Sequence, residues 1–412
     1  MSDPAIRAHA ARAPLTPVLR SGSLRLCRTP AASSDGVLTT LLDGSQTLLT
    51  TSARAAIALA LEQIGVSRGQ EVLLPAYHCQ AMRAPIEACG ATAVFYRLDG
   101  NLNIDMADLE QRVSPRSRCV LTVHFFGFPQ DHTAVRELCD RRGLSLIEDC
   151  AHAFYGPATP PQIGRSGDFA VGSLMKFFPV FDGGCLVSFR RPLSGPPLRS
   201  RGALFQLKAL VNMVQMAGTW GHSRLLRGAA AAISGVTALA KGARPTLARQ
   251  LAESAPGAAQ GSLDFQSEWV HADMSEASRL AVRHADHRRA IHRRREVYRQ
   301  YAAGLASVPG GQPLWPDLPA GVVPYVFPFV LSAPDVSYRA LRAAGVPIYR
   351  WEDVAEESCA TARHYKTRLV QFPCHQSLEE QEVVELIRTI RQVLADCTDI
   401  QSSSQPSAAA LP

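Results

Sequence analysis

Patterns typical of secreted or membrane-spanning proteins are missing from this sequence. Its ten cysteines include no CxxC pair, which argues against both a zinc site and a disulfide framework. The N-terminal residues contain no apolar signal core, and no stretch reaches the roughly 18 apolar residues that a membrane-spanning helix needs. We therefore expect a cytoplasmic protein whose cysteines act as small buried hydrophobic residues.

Acidic residues are absent from residues 183–252, which contain ten Lys or Arg. Residues 190–260, here called the basic insert, include two apolar segments, ALFQLKALVNMVQMAG and LLRGAAAAISGVTALAKG. A cationic amphipathic segment can lie on an anionic membrane surface, so residues 190–250 are a candidate peripheral membrane contact. The insert can equally cover a pocket for a phosphorylated substrate, or form an ordinary helical hairpin with basic outer faces. The pattern alone does not choose among these alternatives.

The whole chain is moderately basic. Its 412 residues have a formal net charge of +7 and a pI of about 9.0, which suggests anionic partners. The charge accompanies no nucleic-acid-binding motif, so no nucleic acid partner is expected. A content of 46% hydrophobic and 19% charged residues is typical of a folded soluble protein, and the length predicts two domains or one large unit with an appendage.

Short apolar strand patterns alternate with helical patterns from about residue 46. Strands are predicted at QTLLTTS, EVLLPAY, ATAVFYR, RCVLTVHFFG, LSLIEDC, GDFAVGS and GCLVSF, and helices at ARAAIALALEQIG, QAMRAPIEACG, DMADLEQRV and DHTAVRELCDRRG. This alternation predicts an α/β fold with a mainly parallel sheet that is covered on both faces. Ligands of such sheets bind at the carboxyl ends of the strands.

A smaller unit is predicted downstream of the insert. The sequence MSEASRLAVRHADHRRAIHRRREVYRQYAAGL predicts one long helix from residue 274. A strand YVFPFVLS, a helix SYRALRAAG, a strand-like VPIYRW and a final helix LEEQEVVELIRTIRQVLAD follow it. We therefore expect an N-terminal segment (1–45), a large domain (46–265), a small C-terminal α+β domain (266–398) and a disordered tail (399–412).

One lysine has unusual neighbours. In the stretch SLMKFFPVFDGG, Lys176 is flanked by two aliphatic and two phenylalanine side chains, and the next acid is Asp182. A lysine amine in an apolar pocket becomes a nucleophile at neutral pH. The alternative is a lysine at a strand end whose amine extends to water, and this motif alone leaves both interpretations open.

Two other features lie at predicted element ends. Asp149 ends the strand pattern SLIED, where an acid can hold a protonated pyridine nitrogen; a helix N-cap and a Mg²⁺ ligand are the alternatives. Ser52, Ala53 and Arg54 begin a helix whose first amides can bind phosphate. An arginine in that first turn suggests an anion nearby, because the helix dipole disfavours a cation there; an exposed arginine is the alternative. A phosphate site, an acid and a later lysine, in this order, fit the cofactor pyridoxal 5'-phosphate (PLP), and no metal site is predicted.

These features occur together with a set of family motifs. The stretches SARAAIALAL, GQEVLLPAY, GATAVFYRLD, LNID, VHFFGFPQD, LIEDCAHAFYG, GDFAVGSLMKFFPVFDGG, ADMSEASRLA and RLVQFPCHQSLEEQEVVELI carry the resemblance. Over residues 45–396 the sequence resembles the DegT/DnrJ/StrS-type sugar aminotransferases, a branch of the fold-type I PLP enzymes. The resemblance implies a seven-stranded, mainly parallel sheet in the large domain and a homodimer with its sites at the interface.

The resemblance also implies roles around the cofactor ring. Lys176 takes the Schiff-base position and moves protons between the substrate and the cofactor. Asp149 takes the position that contacts the pyridine nitrogen, and His152 takes a Gln/His position near the ring hydroxyl. The run Asp182–Gly184 matches a Glu-Gly-Gly loop of the family.

The phosphate end of the cofactor has an implied set of residues too. Ser52, Ala53 and Arg54 occupy the phosphate-binding turn, where the family more often has Ser-Gly-Thr. Ser173 is expected to replace a phosphate-binding serine that usually lies five residues before the lysine, at the place of Val171.

The sequence departs from the family pattern at several positions. An aromatic residue usually stacks on the ring where this chain has Cys79, so either Tyr77 or His78 is expected to stack instead. His271–Asp273 replaces an Asn-Tyr-Arg run whose asparagine reaches the phosphate of the partner subunit. The insert is also longer than in the family, and it helps to shape the substrate pocket.

The resemblance implies an aminotransferase that moves an amino group from an amino acid, expected to be glutamate, onto a keto sugar. The acceptor would be nucleotide-linked, in polysaccharide or secondary-metabolite biosynthesis. The alternatives are another PLP-dependent reaction on a sugar and a non-catalytic regulatory protein that retains the fold. Sugar dehydratases of this fold have histidine in place of the lysine, so Lys176 argues against that reaction.

Overall fold

The computed structural model describes residues 13–20, 22–25, 32–33, 36–43, 46–220, 227–228, 231, 265–351 and 359–404. The second apolar segment of the basic insert lies almost entirely outside these ranges. Among the helices of the described ranges, none combines the length and the apolar character needed to cross a bilayer.

A seven-stranded sheet organises the first half of the chain. The strands of that half are β1 (Ala32–Ser33), β2 (Gly36–Thr40), β3 (Gln46–Thr50), β4 (Glu71–Pro75), β5 (Thr92–Tyr96), β6 (Ser117–Val123), β7 (Ser145–Asp149), β8 (Tyr155–Pro157), β9 (Phe169–Ser173) and β10 (Gly184–Ser188). The sheet has the order β3-β10-β9-β7-β6-β4-β5. Its β5-β4-β6-β7-β9 pairings are parallel, whereas β10 is antiparallel to both β9 and β3. The prediction of a mainly parallel seven-stranded sheet is confirmed.

This topology brings three chain segments to one edge of the sheet. The parallel strands β4, β6, β7 and β9 end at that edge. Because β10 is antiparallel, its first residue Gly184 pairs with both Ser173 at the end of β9 and Thr50 at the end of β3. The helix that follows β3 therefore begins beside the loop that joins β9 to β10.

The helices follow the sequence patterns closely in the first half of the chain. They are α1 (Ala53–Ile64), α2 (Gln80–Ala88), α3 (Met106–Arg112), α4 (Thr133–Arg142), α5 (Ala203–Trp220), α6 (Glu276–Arg283), α7 (His287–Gly304), α8 (Pro334–Ala343), α9 (Ala360–Arg368) and α10 (Glu380–Ser404). Helix α1 illustrates the local signals that set where a helix starts and ends. The Ser52 hydroxyl accepts from the Ala55 amide at its start, and Gly65 adopts the left-handed conformation (φ 78°) at its end.

The C-terminal part has a hydrophobic cluster of its own. The antiparallel strands β11 (Gly311–Pro313), β12 (Val326–Leu331) and β13 (Leu369–Pro373) form a three-stranded sheet. Tyr298 and Tyr301 of α7 pack on Phe327 and Phe372 of this sheet, together with the buried side of α10. Other C-terminal residues, such as Tyr325, pack instead into the cluster of the large sheet. The proposed division at residues 265 and 266 stays a prediction.

Two predictions about the C-terminal half need correction. The single helix predicted from residue 274 is two helices, α6 and α7, because the Asp286 side chain accepts from the Arg289 amide and so caps a new helix start. Helix α10 continues to Ser404, beyond the predicted start of the disordered tail at residue 399. Residues 405–412 lie outside the described ranges.

Candidate active site

A cleft opens at the edge of the sheet where the parallel strands end. Its internal volume is about 40 Å³. Its lining combines few polar groups with many apolar side chains, and consists of Ala53, Arg54, Ile57, Cys79, Ala81, Met82, Val123, Asp149, Ala151, His152, Lys176 and Trp351. The structure thus brings five of the predicted site residues, Ala53, Arg54, Asp149, His152 and Lys176, to one cleft.

Lys176 enters the cleft from a single helical turn directly after β9. The neighbouring side chains Leu174 and Phe177 are fully buried, which explains the apolar pattern around the lysine. Its Nζ lies 5.3 Å from the centre of the Tyr325 ring. The apolar neighbours therefore anchor the turn in the core, and the amine is directed into the cleft.

Asp149 lies at the end of the neighbouring strand β7. One of its carboxylate oxygens accepts from the Ala151 amide at 2.8 Å. Burial raises the pKa of Asp149, and the positive charge of Lys176 opposes that rise. The buried carboxylate consequently has one amide donor and one nearby cation, and it retains capacity to accept from a ligand.

His152 forms an aromatic wall of the cleft. Its ring stacks on Tyr325, with centroids 4.6 Å apart, and packs against Trp351 at 5.3 Å. Burial and, after it, the charge of Lys176 lower the pKa of His152 well below its ordinary value, so the ring is neutral. Because Nδ1 accepts from the Phe126 amide at 3.4 Å, the proton lies on Nε2 and is available for donation.

The start of α1 also lines the cleft. Ala53 and Arg54 line it, whereas the Ser52 hydroxyl caps the helix by accepting from the Ala55 amide at 3.3 Å. Gly184 lies so close that a Cβ there would be 2.2 Å from the Ser52 carbonyl carbon. The second glycine of the Asp-Gly-Gly loop therefore allows the lysine loop to pack against the helix start.

Besides Ser52, which caps α1, three predicted cofactor residues lie outside the cleft lining. Ser173 is half-buried at the end of β9, outside the cleft lining. Tyr77 packs on Trp351 at 4.9 Å and also lies outside the lining. His78 stacks on Phe95 at 4.7 Å, and its Nδ1 donates to the carbonyls of Pro75 and Ala76. Neither Tyr77 nor His78 is therefore placed to stack on a ligand in the cleft.

Two residues that line the cleft, Cys79 and Trp351, were not among the predicted site residues. Cys79 occupies the position expected for a stacking aromatic, and it lines the cleft itself. Trp351 reaches the same cleft from a segment 175 residues beyond Lys176. The strand-like pattern VPIYRW gives no sign of this contact, because the approach depends on how the C-terminal part folds back.

A buried arginine fixes the lysine loop from behind. The Arg294 guanidinium of α7 packs on the Phe177 ring at 4.5 Å. Burial lowers the pKa of Arg294 to about 10, so the group is charged at neutral pH. Its hydrogen bonds of 2.8–3.1 Å go to neutral oxygens, the carbonyls of Lys176, Pro324, Tyr325 and Cys374 and the side chain of Gln376. Gln376 in turn donates to the Phe177 carbonyl at 2.6 Å.

A metal interpretation of the cleft does not fit its donors. Asp149 is the single carboxylate in the lining, and it lies beside a lysine, whereas Mg²⁺ prefers several oxygen ligands. The described residues also contain a buried group of His124, Glu148 and Cys150 whose donor atoms lie within 4.8 Å of one another. The Glu148 carboxylate there already accepts from His124 and from the amides of Gly164 and Gly167.

Comparison with known families shows which proteins this arrangement resembles. Residues 9–193 match the model of the DegT/DnrJ/EryC1/StrS aminotransferase family. The match covers slightly less than half of the chain, and within it the chain resembles this family. The family resemblance predicted from the sequence is thereby confirmed, and the match includes Asp149, Lys176 and the start of α1.

Relatives of the family match the chain to different extents. The GDP-perosamine synthase of Vibrio cholerae is 33% identical over 136 residues, which are 32% of this chain and 37% of that protein. The dTDP-4-dehydro-2,3,6-trideoxy-D-glucose 4-aminotransferase of Saccharopolyspora spinosa is 27% identical over 369 residues, 83% of each chain. For the relatives that are more than 30% identical, the match spans only 37–44% of the relative's own length.

The same fold occurs in solved structures. Spr1654 of Streptococcus pneumoniae, solved in a PLP form and a PMP form, superposes with TM-scores of 0.60 and 0.61 at 16% identity. The PLP-form match covers 86% of this chain and 88% of that chain. The predicted fold class, an α/β fold of the fold-type I kind with a smaller C-terminal unit, is confirmed.

The cleft suits the cofactor that the family implies. Ala53 and Arg54 in the first turn of α1 line it, and the first amides of a helix can bind a phosphate. Asp149 offers acceptor oxygens for a protonated ring nitrogen, and His152 offers an Nε2 proton. PLP has a phosphate, a ring nitrogen and a ring hydroxyl that need these three kinds of group.

Proposed function

We propose that the protein is a PLP-dependent aminotransferase that moves an amino group from an amino acid, glutamate in our expectation, to a keto sugar. The acceptor would be nucleotide-linked, as the names of the matched relatives suggest. The observation that carries the proposal is the shared cleft of Lys176, Asp149 and the start of α1 at the carboxyl edge of the sheet.

PLP, when bound, supplies an electron sink that stabilises negative charge at the substrate Cα. Lys176 binds it covalently and afterwards accepts and returns a proton at Nζ. Asp149 holds the positive charge of the pyridine nitrogen, since its carboxylate has capacity to accept. His152 orients the ring hydroxyl through its Nε2 proton. The first amides of α1 hold the phosphate, and the buried phenylalanines beside Lys176 anchor its turn in the core.

The test of the nucleophile uses the scarcity of lysine. The chain has four lysines, Lys176, Lys208, Lys241 and Lys366, so the site of covalent attachment is easily assigned. Purified protein is incubated with PLP, reduced with borohydride and digested, and the modified peptide is identified by mass spectrometry. We expect modification of Lys176, and we expect the visible absorbance of the bound cofactor to fade when glutamate is added.

Lys176→Ala should abolish both the modification and the absorbance band, and the matched variant Lys366→Ala should keep them. If wild-type protein does not take up PLP, a non-catalytic protein that retains the fold becomes the better interpretation. If it takes up PLP but no amino donor changes the spectrum, another PLP-dependent reaction is favoured.

We also propose a cytoplasmic homodimer. In the family resemblance, the run that His271–Asp273 replaces reaches the partner's phosphate site. Here the Asp273 backbone forms an isolated β-bridge with Thr50 of its own chain, and the Asp273 side chain forms a salt bridge with Arg279 at 2.7 Å. Molar mass from light scattering tests the dimer, and the monomer mass would contradict it.

A further inference from the structure

The exposed apolar side chains of the protein are concentrated on one helix. Among the described residues, eight large hydrophobic side chains are exposed, and four of them lie on α5: Leu204, Leu207, Leu210 and Met216. The exposed fraction is 57% for Leu207 and 51% for Leu210. A concentration of this kind marks an interaction surface, whereas single exposed leucines are ordinary.

The helix is firmly attached through its opposite side. Phe205, Ala209 and Met213 are buried in a cluster with Trp269 and Phe181. The rings of Phe205 and Trp269 are 5.4 Å apart. Because the buried residues recur every four positions, Leu207 and Leu210 point away from the core. The exposed leucines are therefore presented on a fixed support.

Basic residues lie on this helix and in the segment that precedes it. Lys208 is the single charged residue of α5, and Arg199 and Arg201 directly precede the helix. Arg201 packs on Trp269 at 4.2 Å and pairs with Glu268 at 3.5 Å. From residue 183 to residue 252 the chain has ten basic and no acidic residues, so the segment as a whole is cationic.

We propose that the exposed face of α5, defined by Leu204, Leu207 and Leu210, docks on an anionic lipid membrane. The leucines enter the boundary between headgroups and acyl chains, and the basic residues face the lipid phosphates. The 18 residues of α5 extend about 27 Å and lie along the surface. A second copy of the chain suits this face less well, because a symmetric contact would bring two cationic segments together.

Vesicle binding tests the proposal directly. The full-length protein is mixed with phosphatidylcholine vesicles, with or without phosphatidylglycerol, and the bound fraction is measured by flotation. We expect binding to the anionic vesicles and a loss of binding as salt is raised. Absence of binding to anionic vesicles at low salt would overturn the proposal.

Variants locate the contact. Leu207→Glu with Leu210→Glu should lower partitioning by roughly a hundredfold, since each buried leucine contributes about tenfold. Val384→Glu is the matched control, because Val384 is 56% exposed on α10, and it should bind like wild type. Glutamate suits a helix about as well as leucine, and circular dichroism checks the fold. If the double variant bound vesicles as well as the control, the assignment of the membrane contact to α5 would be overturned. A reduced molar mass of the double variant without lipid would instead assign this face to a contact with a second copy of the chain.

Discussion

Two neighbouring acids on opposite faces of strand β7 differ in their hydrogen-bond donors and in the direction of their pKa shifts. Glu148 points into a closed network in which His124, at 2.8 Å, and the amides of Gly164 and Gly167 donate to its carboxylate. Burial alone would raise the pKa of Glu148, but the hydrogen bonds from His124 and His132 lower it below its ordinary value. Asp149, one residue later, faces the cleft with one amide donor, and burial raises its pKa.

The difference separates a structural acid from one that is available to a ligand. A buried carboxylate whose acceptors are fully used stabilises the fold and has nothing left to offer a cofactor. A buried carboxylate with unused acceptors destabilises the empty protein, and a bound cation removes that penalty. Alternation along β7 assigns one role to each face of the sheet.

The largest effect, on the rate of the reaction with glutamate, is expected when Asp149 on the cleft face of β7 is changed. Asp149→Asn should slow the conversion of the bound cofactor by glutamate roughly a thousandfold, because a neutral amide cannot hold the charge of the pyridine nitrogen. Stopped-flow absorbance measures this rate without knowledge of the sugar acceptor. The free energy of unfolding should stay the same or rise, since a buried charge is removed. A variant with the wild-type rate would contradict the role given to Asp149.

Glu148→Gln tests the other face. The new amide NH₂ group would oppose N–H donors that now meet a carboxylate, so the free energy of unfolding should fall by about 3 kcal/mol. Urea denaturation at neutral pH gives the value. The folded fraction should keep its rate with glutamate. If Glu148→Gln were as stable as Asp149→Asn, the distinction between the two faces would be wrong.

Gln376 links the buried hydrogen bonds of Arg294 to the turn that contains Lys176. A Gln376 variant should therefore affect both the stability of the protein and its rate with glutamate. Gln376→Leu removes the donor to the Phe177 carbonyl and the acceptor of Arg294, which should cost about 2 kcal/mol of stability. The looser lysine turn should also lower the rate with glutamate, by about tenfold. Unchanged glutamate kinetics in a destabilised variant would limit Gln376 to a structural role.

A further prediction concerns how the stability of the protein depends on pH. Burial lowers the pKa of His78 to about 4 and that of His375 to about 3, from 6.5, and it also lowers the pKa of His124. Below pH 6.5 the unfolded chain therefore binds protons that the folded chain does not. Stability should fall by about 1.4 kcal/mol per pH unit for each such histidine, which urea titrations between neutral and mildly acid pH measure.

Asp149 contributes to this pH dependence with the opposite sign. Its raised pKa means that the folded chain binds a proton before the unfolded chain does as the pH falls. Asp149→Asn should consequently make the acid loss of stability steeper. A shallower loss in that variant would contradict the direction of the shift.

The sequence predicted the parts of the site that depend on local signals. Strand ends, the start of α1, the apolar turn around Lys176 and the Asp-Gly-Gly loop are set by neighbouring residues, and a parallel sheet places them on one edge. The same signals predicted the large sheet and most of its helices. The break between α6 and α7 was missed because one aspartate cap outweighed a continuous helical pattern.

The remaining wall of the cleft could not be predicted in this way. Trp351 and Tyr325 reach the cleft through packing between distant parts of the chain, and no local pattern reports such a contact. The same is true of Arg294, which reads as one of three consecutive arginines on a basic helix. Arg295 is buried as well, and what distinguishes Arg294 is its packing on Phe177 and its hydrogen bond to the Lys176 carbonyl.

The hydrogen bonds of Arg294 and Gln376 set an order of events during synthesis. The Lys176 carbonyl is held by a residue 118 positions later, and the Phe177 carbonyl by one 199 positions later. A nascent chain that has emerged only as far as β10 has the lysine but not the groups that hold its turn in place. Ribosome-bound fragments that end before Gln376 should therefore fail to retain the cofactor, and the complete chain would acquire it after release.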